Sequence, residues 1–170
     1  MKWYIIDKNY VEYLRIHDNN VQNIVYEDKV KPYIGIILNI NDFNYYVPVS
    51  SVKPRHQNMK NSIDFFKIED EKRLFGVLNI NNMIPVYEEY ITNLNYREID
   101  KYRSFQSETE KTNYISLLTK ELSIINMNED LILKSASRLY EIKNDHPDSK
   151  LSMRCCNFKL LEEKAKEYKK

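Results

Sequence analysis

The spacing of apolar positions changes period near residue 90. Before it, apolar residues come in short runs rich in aromatic and β-branched side chains. Lys2 to Ile6 reads as a first strand. Asn9 can cap a short helix over Tyr10 to Ile16, and Asn19 to Lys31 is polar and irregular. Tyr33 to Ile40 predicts a strong strand. A turn at Asn41-Asp42 and a partner strand over Tyr45 to Val49 complete a hairpin. Pro48 lacks an amide N–H, which predicts an edge position for that partner. Gly35, inside the first strand of the pair, predicts a bulge or a close backbone approach. Further strands are expected over Ser62 to Ile68, Leu74 to Asn79 and Met83 to Val86.

After Tyr90 the repeat becomes helical. Tyr114, Leu117, Leu118, Leu122 and Ile125 fall at helical spacing, and Leu131, Leu133, Ala136, Leu139, Tyr140 and Ile142 do much the same. Pro147 closes that region. Met153 to Phe158 is expected to add a last strand or extended piece, with Asn157 capping a C-terminal helix over Phe158 to Tyr168. Strand signals crowd the first half and helices the second. That predicts an α+β fold: a compact antiparallel sheet or small barrel with added helices. A length of 170 residues fits one domain, 1–170. A chain of this size buries roughly two-thirds of its unfolded surface.

The longest apolar runs, such as Ile34 to Leu38, are too short to cross a membrane. Met1-Lys2-Trp3 leads straight into the first strand, without signal-peptide organisation. A cytoplasmic location without a membrane partner is therefore expected. Cys155 and Cys156 are adjacent, a poor geometry for a disulfide, and no His is near enough for a zinc set. They are expected to be reduced thiols, at least one of them packed. The net charge of +1 carries no global signature of nucleic-acid binding. Its distribution differs from its sum. From Lys29 to Lys60 there are five bases (Lys29, Lys31, Lys53, Arg55, Lys60) and one acid, Asp42, a local +4.

Two glycines cannot build a phosphate-cradling loop. There is no nucleophile elbow, no zinc-protease helix and no carboxylate cluster for magnesium, so neither cofactor nor metal is expected. His17 and His146 lie in polar surroundings and read as solvated surface residues. What remains is Ser50-Ser51-x-Lys53-x-Arg55-His56, at the end of a predicted strand. Strand alternation sends adjacent serines to opposite faces. At the strand's end the chain can turn a hydroxyl toward Lys53, which Pro54 biases to extended geometry. Taken alone, such a string is more often a solvated polar loop.

In company it is more specific. Four segments, in order, resemble the ToxN/AbiQ family of RNA-cleaving toxins from type III toxin–antitoxin systems. They are Lys31-Pro32-Tyr33-Ile34-Gly35-Ile36, Val49-Ser50-Ser51-Val52-Lys53, Gly76-Val77-Leu78-Asn79 with Met83-Ile84-Pro85, and Cys156-Asn157-Phe158-x-Leu160-Leu161-Glu162-Glu163. The similarity runs from Met1 to about Lys166. Where relatives can carry Thr, this chain has Ser50, another hydroxyl. A tyrosine upstream of the lysine in a relative falls nearest Glu27 here, one residue from Tyr26, so its role is not carried across.

The resemblance implies a strongly twisted antiparallel sheet like that of the MazF/Kid toxins, with added helices. It implies metal-independent cleavage, at adenine-rich sites, to 2′,3′-cyclic phosphate and 5′-hydroxyl ends. It also implies inhibition by a pseudoknotted antitoxin RNA in a closed protein–RNA ring, and a role in phage abortive infection or plasmid maintenance. Cellular or phage mRNA would be the substrate, and DNA is not an expected partner.

The residues suit that chemistry. RNA carries its own nucleophile, so the protein must align the 2′-hydroxyl and stabilise charge on the phosphorane. Lys31 and Lys53 can supply cations to the nonbridging oxygens, and Ser50 and Ser51 can hold the phosphate. A lysine whose pKa is depressed by a neighbouring cation could act as base, and His56 is a further acid–base candidate. Arg55 and Lys60 are expected to track the RNA backbone, Tyr26 and Tyr33 to offer stacking faces, and Asn157 to add a contact. The rival expectation is a non-catalytic RNA-binding module using the same cations and aromatics.

Overall fold

The computed structural model describes residues 1–23, the backbone of 25 and 26, and residues 29–168. The strands are β1 (Lys2–Ile6), β2 (Val25–Tyr26), β3 (Lys29–Val30), β4 (Tyr33–Ile40), β5 (Phe43–Ser51), β6 (Phe65–Glu69), β7 (Leu74–Asn79), β8 (Ile84–Val86) and β9 (Ile91–Asn93). The helices are α1 (Lys8–His17), α2 (Pro54–Asn58), α3 (Glu108–Met127), α4 (Glu129–Asp145) and α5 (Phe158–Glu167). The expected α+β architecture is present, with the long helices C-terminal. None of these helices is long and apolar enough to cross a membrane.

The main sheet runs β6-β7-β5-β4-β1-β9, with β8 also paired to β5, and every pair is antiparallel. Among the described residues the sheet is not closed, its path ending at β6 and β9, so the barrel alternative is not borne out. β2 and β3 form a separate small hairpin inside the stretch expected to be irregular.

β5 is the most connected strand, which corrects the edge position expected from Pro48. Val49 N–H points toward β4, donating to Pro32 O at 3.5 Å. The neighbouring residue in a strand faces the other way, so the donor missing at Pro48 would point to the opposite edge. There β8 pairs only as far as Tyr46 and β7 begins at Val49. Pro48 therefore occupies the gap between two partners and costs neither a ladder bond. Of the two expectations for Gly35 the bulge is present, and the close approach is made by a side-chain ring. The β4–β5 register shifts between Gly35 and Leu38, and a Cβ on Gly35 would lie 2.3 Å from the Tyr46 ring.

Buried side chains of the sheet meet α1, α4 and α5 on one core. Tyr45 and Tyr140 both donate to Glu162 Oε1, at 2.7 and 2.8 Å, joining β5, α4 and α5 through one buried carboxylate. Trp3 Nε1 donates to Leu118 O at 3.0 Å and ties β1 to α3. Cys155 and Cys156 are both free thiols buried in this core. Three local expectations need correction. Asp7, not Asn9, caps α1, accepting from the N–H groups of Asn9 and Tyr10. Ser152–Arg154 form a 3₁₀ turn rather than a strand, and of the extended alternative Cys155 keeps an extended backbone. The supposed loop after β5 is the short helix α2, which starts with Pro54, a residue preorganised for the first helical position.

Candidate active site: a basic groove beyond the end of a strand

β5 outruns its neighbour. Its pairing with β4 ends at Tyr33 opposite Pro48, while Val49, Ser50 and Ser51 continue, paired only with β7. On the vacated side the chain preceding β4 diverges, and a groove of about 820 Å³ opens there. Lys31, Ser50, Ser51, Lys53, Arg55 and His56 all line it. Six bases line it in all, the others being Arg15, Lys29 and Arg103, against one acid, Glu121. That excess makes the groove a place for an anionic chain.

A chain of side-chain hydrogen bonds holds one wall. Lys31 Nζ donates to Gln22 Oε1 at 2.9 Å, and Ser50 Oγ lies 3.3 Å from the same oxygen. Asn79 Nδ2 donates to Ser50 Oγ at 3.0 Å, and Gln22 Nε2 donates to Asn82 Oδ1 at 2.7 Å. Asn82 in turn donates to Asn20 O at 2.8 Å. Ser50 is thus half-buried and fixed, whereas Ser51 is exposed, as strand alternation requires. Among the described residues no hydrogen bond engages the Ser51 hydroxyl.

Lys31 is half-buried, and its pKa is pushed down to about 8, by desolvation first and by the Lys53 charge second. His56 is only 2% exposed. Its Nδ1 accepts from Lys53 N–H at 3.1 Å and its backbone N–H donates to Lys53 O at 2.9 Å, so its ring pins the start of α2. Burial, then Arg55 and Lys53, hold its pKa below the ordinary value. The neutral ring is a brace for the Lys53 backbone more than a solvent-facing acid.

The remaining expected RNA contacts are not gathered here. Tyr33 is fully buried in the core, so its ring has no face for a base. Lys60 is exposed but outside the groove lining. The Asn157 side chain caps α5, accepting from Leu160 N–H at 3.3 Å. Tyr26 lies in β2, and its side chain is outside the described residues. Among the described residues no three His, Cys, Asp or Glu side chains gather as a metal-binding group.

Sequence reasoning missed Gln22, Asn79 and Asn82, polar residues with no spacing signal. It also missed Glu121, which had one. An acid there interrupts the apolar stripe of Leu117, Leu118, Leu122 and Ile125 on α3, and the residue is 4% exposed. Burial raises its pKa to about 8.

Comparison with known proteins places this chain and its fold in a class. The family of "Toxin ToxN, type III toxin–antitoxin system" matches residues 2–166, and the chain belongs to it. Among curated relatives, an "Endoribonuclease ToxN" of Bacillus thuringiensis subsp. kurstaki is 33% identical over 99% of this chain and 84% of its own. A solved structure from work on a processed non-coding RNA that regulates a bacterial antiviral system has a TM-score of 0.83. It is 30% identical and covers 100% of both chains. Another, from work on selective toxin inhibition by a non-coding RNA pseudoknot, has a TM-score of 0.82 at 29% identity, covering 98% of this chain and 96% of its own.

Proposed function

We propose that this toxin is an endoribonuclease that cuts RNA in the groove by internal transphosphorylation. The observation that carries the proposal is the meeting of Lys31, Ser50, Ser51 and Lys53 at one exposed strand end, in a groove with six bases and one acid. Lys31 takes the proton from the 2′-hydroxyl, because its lowered pKa leaves a useful neutral fraction near neutral pH. The 2′-oxygen attacks phosphorus, the bond to the 5′-oxygen breaks, and that oxygen gains a proton from an acid or from solvent. The products are a 2′,3′-cyclic phosphate and a 5′-hydroxyl. Lys53 supplies positive charge to the nonbridging oxygens, and Ser51 donates a hydrogen bond to one of them. No step draws on a metal.

The same surface explains inhibition by RNA. An antitoxin RNA presents the phosphate spacing of the substrate and fills the groove as a decoy. A pseudoknotted repeat that bridges neighbouring toxins in a closed ring would keep the groove occupied. Release of the toxin during infection would then cut cellular or phage mRNA, in abortive phage defence or plasmid maintenance. The relatives named for a type III system, for an antiviral system and for pseudoknot inhibition support this setting.

The test is to incubate purified protein with defined transcripts in EDTA and map both ends of the fragments. Cyclic phosphate and 5′-hydroxyl ends are expected. Intact RNA in EDTA with cleavage restored by magnesium would sink the mechanism. RNA bound but never cut, with or without metal, would make the protein a binding module instead.

A further inference from the structure

The second glycine of the chain, Gly76, and the buried Glu121 belong to one feature. A Cβ on Gly76 would lie 2.5 Å from Glu121 Oε1 and 3.3 Å from Ser50 O. Gly76 is also the register partner of Ser51. The missing side chain therefore leaves room for a carboxyl directly beside the strand end that carries both serines.

Glu121 has no evident structural reason to be there. It is 4% exposed, and among the described residues it has no hydrogen bond or ion pair. An acid in so buried a residue is costly and is retained where something else uses it. This one lines the groove. Tyr114, Leu117, Leu118 and Glu121 stand at i, i+3, i+4 and i+7 on α3, a single helix face, and all four line the groove with Phe75. Tyr114, Leu117 and Phe75 are half-buried and open to it. An apolar, aromatic wall with a carboxyl on its floor and Arg103 at its rim, 4.4 Å over the Tyr114 ring, has the design of a small planar-ligand pocket.

We infer that this recess takes a nucleobase of the RNA whose phosphate lies at Ser50 and Ser51, and that Glu121 reads the base's polar edge. The inference rests on the endoribonuclease reading for its setting. Arg73 covers one face of Phe75 at 4.5 Å and Arg103 one face of Tyr114 at 4.4 Å, which leaves the other face of each ring for a base to stack on, as every base can do. Selection comes from the floor. Desolvation favours the neutral acid, which presents one donor and one acceptor side by side. That pair matches an amine next to a ring-nitrogen acceptor, the edge that adenine and cytosine present. The amine donates to the carbonyl oxygen of Glu121 while the acid O–H donates to the ring nitrogen. On the same edge guanine and uracil also present a donor beside an acceptor, but the donor is a ring N–H and the acceptor a carbonyl oxygen, a weaker partner for that O–H.

The experiment compares wild type with Glu121→Gln, Glu121→Ala and Gly76→Ala. Cleavage sites are mapped on a random-sequence RNA pool, and affinities are measured for short homopolymers of the four bases. Gln keeps the donor–acceptor pair and is expected to keep the base preference. Ala is expected to lose roughly ten- to a hundredfold of discrimination while still binding RNA through the basic groove. Gly76→Ala keeps the carboxyl but pushes it aside, and should also blunt the preference. Should Glu121→Ala fold poorly, Gly76→Ala carries the same test. A preference unchanged in both alanine variants overturns the inference. The homopolymer affinities read the pocket without cleavage, so a wild type that binds selectively but never cuts refutes the endoribonuclease reading alone.

Discussion

Lys31 and Ser50 share one acceptor. Gln22 Oε1 sits 2.9 Å from Lys31 Nζ and 3.3 Å from Ser50 Oγ, so one amide fixes a candidate base and a candidate phosphate holder relative to each other. Lys31 lies just before β4 and Ser50 near the end of β5, where no ladder pairing joins them. The amide substitutes for the missing strand pairing.

Gln22→Ala should therefore loosen the site more than the fold. Loss of a part-buried hydrogen-bond partner costs about 1 kcal/mol of stability. A misplaced reacting group costs more in rate, on the order of 10²-fold. Denaturant unfolding and single-turnover cleavage of one RNA measure the two. A rate loss no larger than the stability change explains would remove Gln22 from the site.

Lys31 predicts a pH profile. Its pKa of about 8 means it is mostly a cation below that pH and mostly neutral above. If it accepts the 2′-hydroxyl proton, the single-turnover rate climbs about tenfold per pH unit up to roughly 8, then levels. Lys53→Ala removes the like charge that helps depress Lys31, so the inflection should move to higher pH as the rate falls overall. Gln22→Glu, which sets a carboxylate against the ammonium, should move it the same way. A rate that falls as pH passes 8 would make Lys31 the cation and not the base.

Glu121 predicts a pH dependence of stability. Its folded pKa, about 8, lies above the ordinary value of 4.5, so the folded protein holds this proton more tightly than the unfolded chain. Below about pH 4.5 the group is protonated in both states and costs nothing. As pH rises through 8 the unfolded chain gains by ionising and the fold loses stability. Glu121→Gln removes that loss, by an amount on the order of a few kcal/mol at pH 8 and near zero at pH 4.5. Urea unfolding at the two pH values checks it. Equal effects at both would show that the carboxyl is not protonated in the fold.

Much of this was legible because it is local. The aromatic and β-branched runs of β1, β4 and β7 carry their period in the sequence, and β7 was read to the residue. Ser50, Ser51, Lys53 and Arg55 were visible as a cluster because they are nearly contiguous at the end of β5 and the start of α2, whereas Arg15 and Arg103 reach the groove from elsewhere. What was not legible depends on neighbours far along the chain. Pro48 looks like an edge residue until β7 and β8 divide its outer side between them. Tyr33 looks like a stacking face until the core closes over it. α2 is only five residues long, too short to show a period. Gln22, Asn79 and Glu121 reach the groove from the α1–β2 connection, β7 and α3, and only the fold brings them together.

Ser51 gives the sharpest test. It is exposed, its hydroxyl has no hydrogen bond among the described residues, and its backbone is held by pairing with Gly76. Ser51→Ala removes one oxygen and no packing, so stability should stay within about 0.5 kcal/mol. If the hydroxyl holds a nonbridging oxygen as charge builds on phosphorus, cleavage should fall on the order of 10²-fold. RNA affinity should hardly change, since the groove cations make most of the phosphate contacts. Ser50→Ala should behave differently. Its Oγ accepts from Asn79 and meets Gln22, so its loss should lower stability measurably as well as slow cleavage. The contrast separates a hydroxyl kept free for the phosphate from one that supports the wall. Wild-type cleavage by a folded Ser51→Ala variant would place the scissile phosphate elsewhere in the groove.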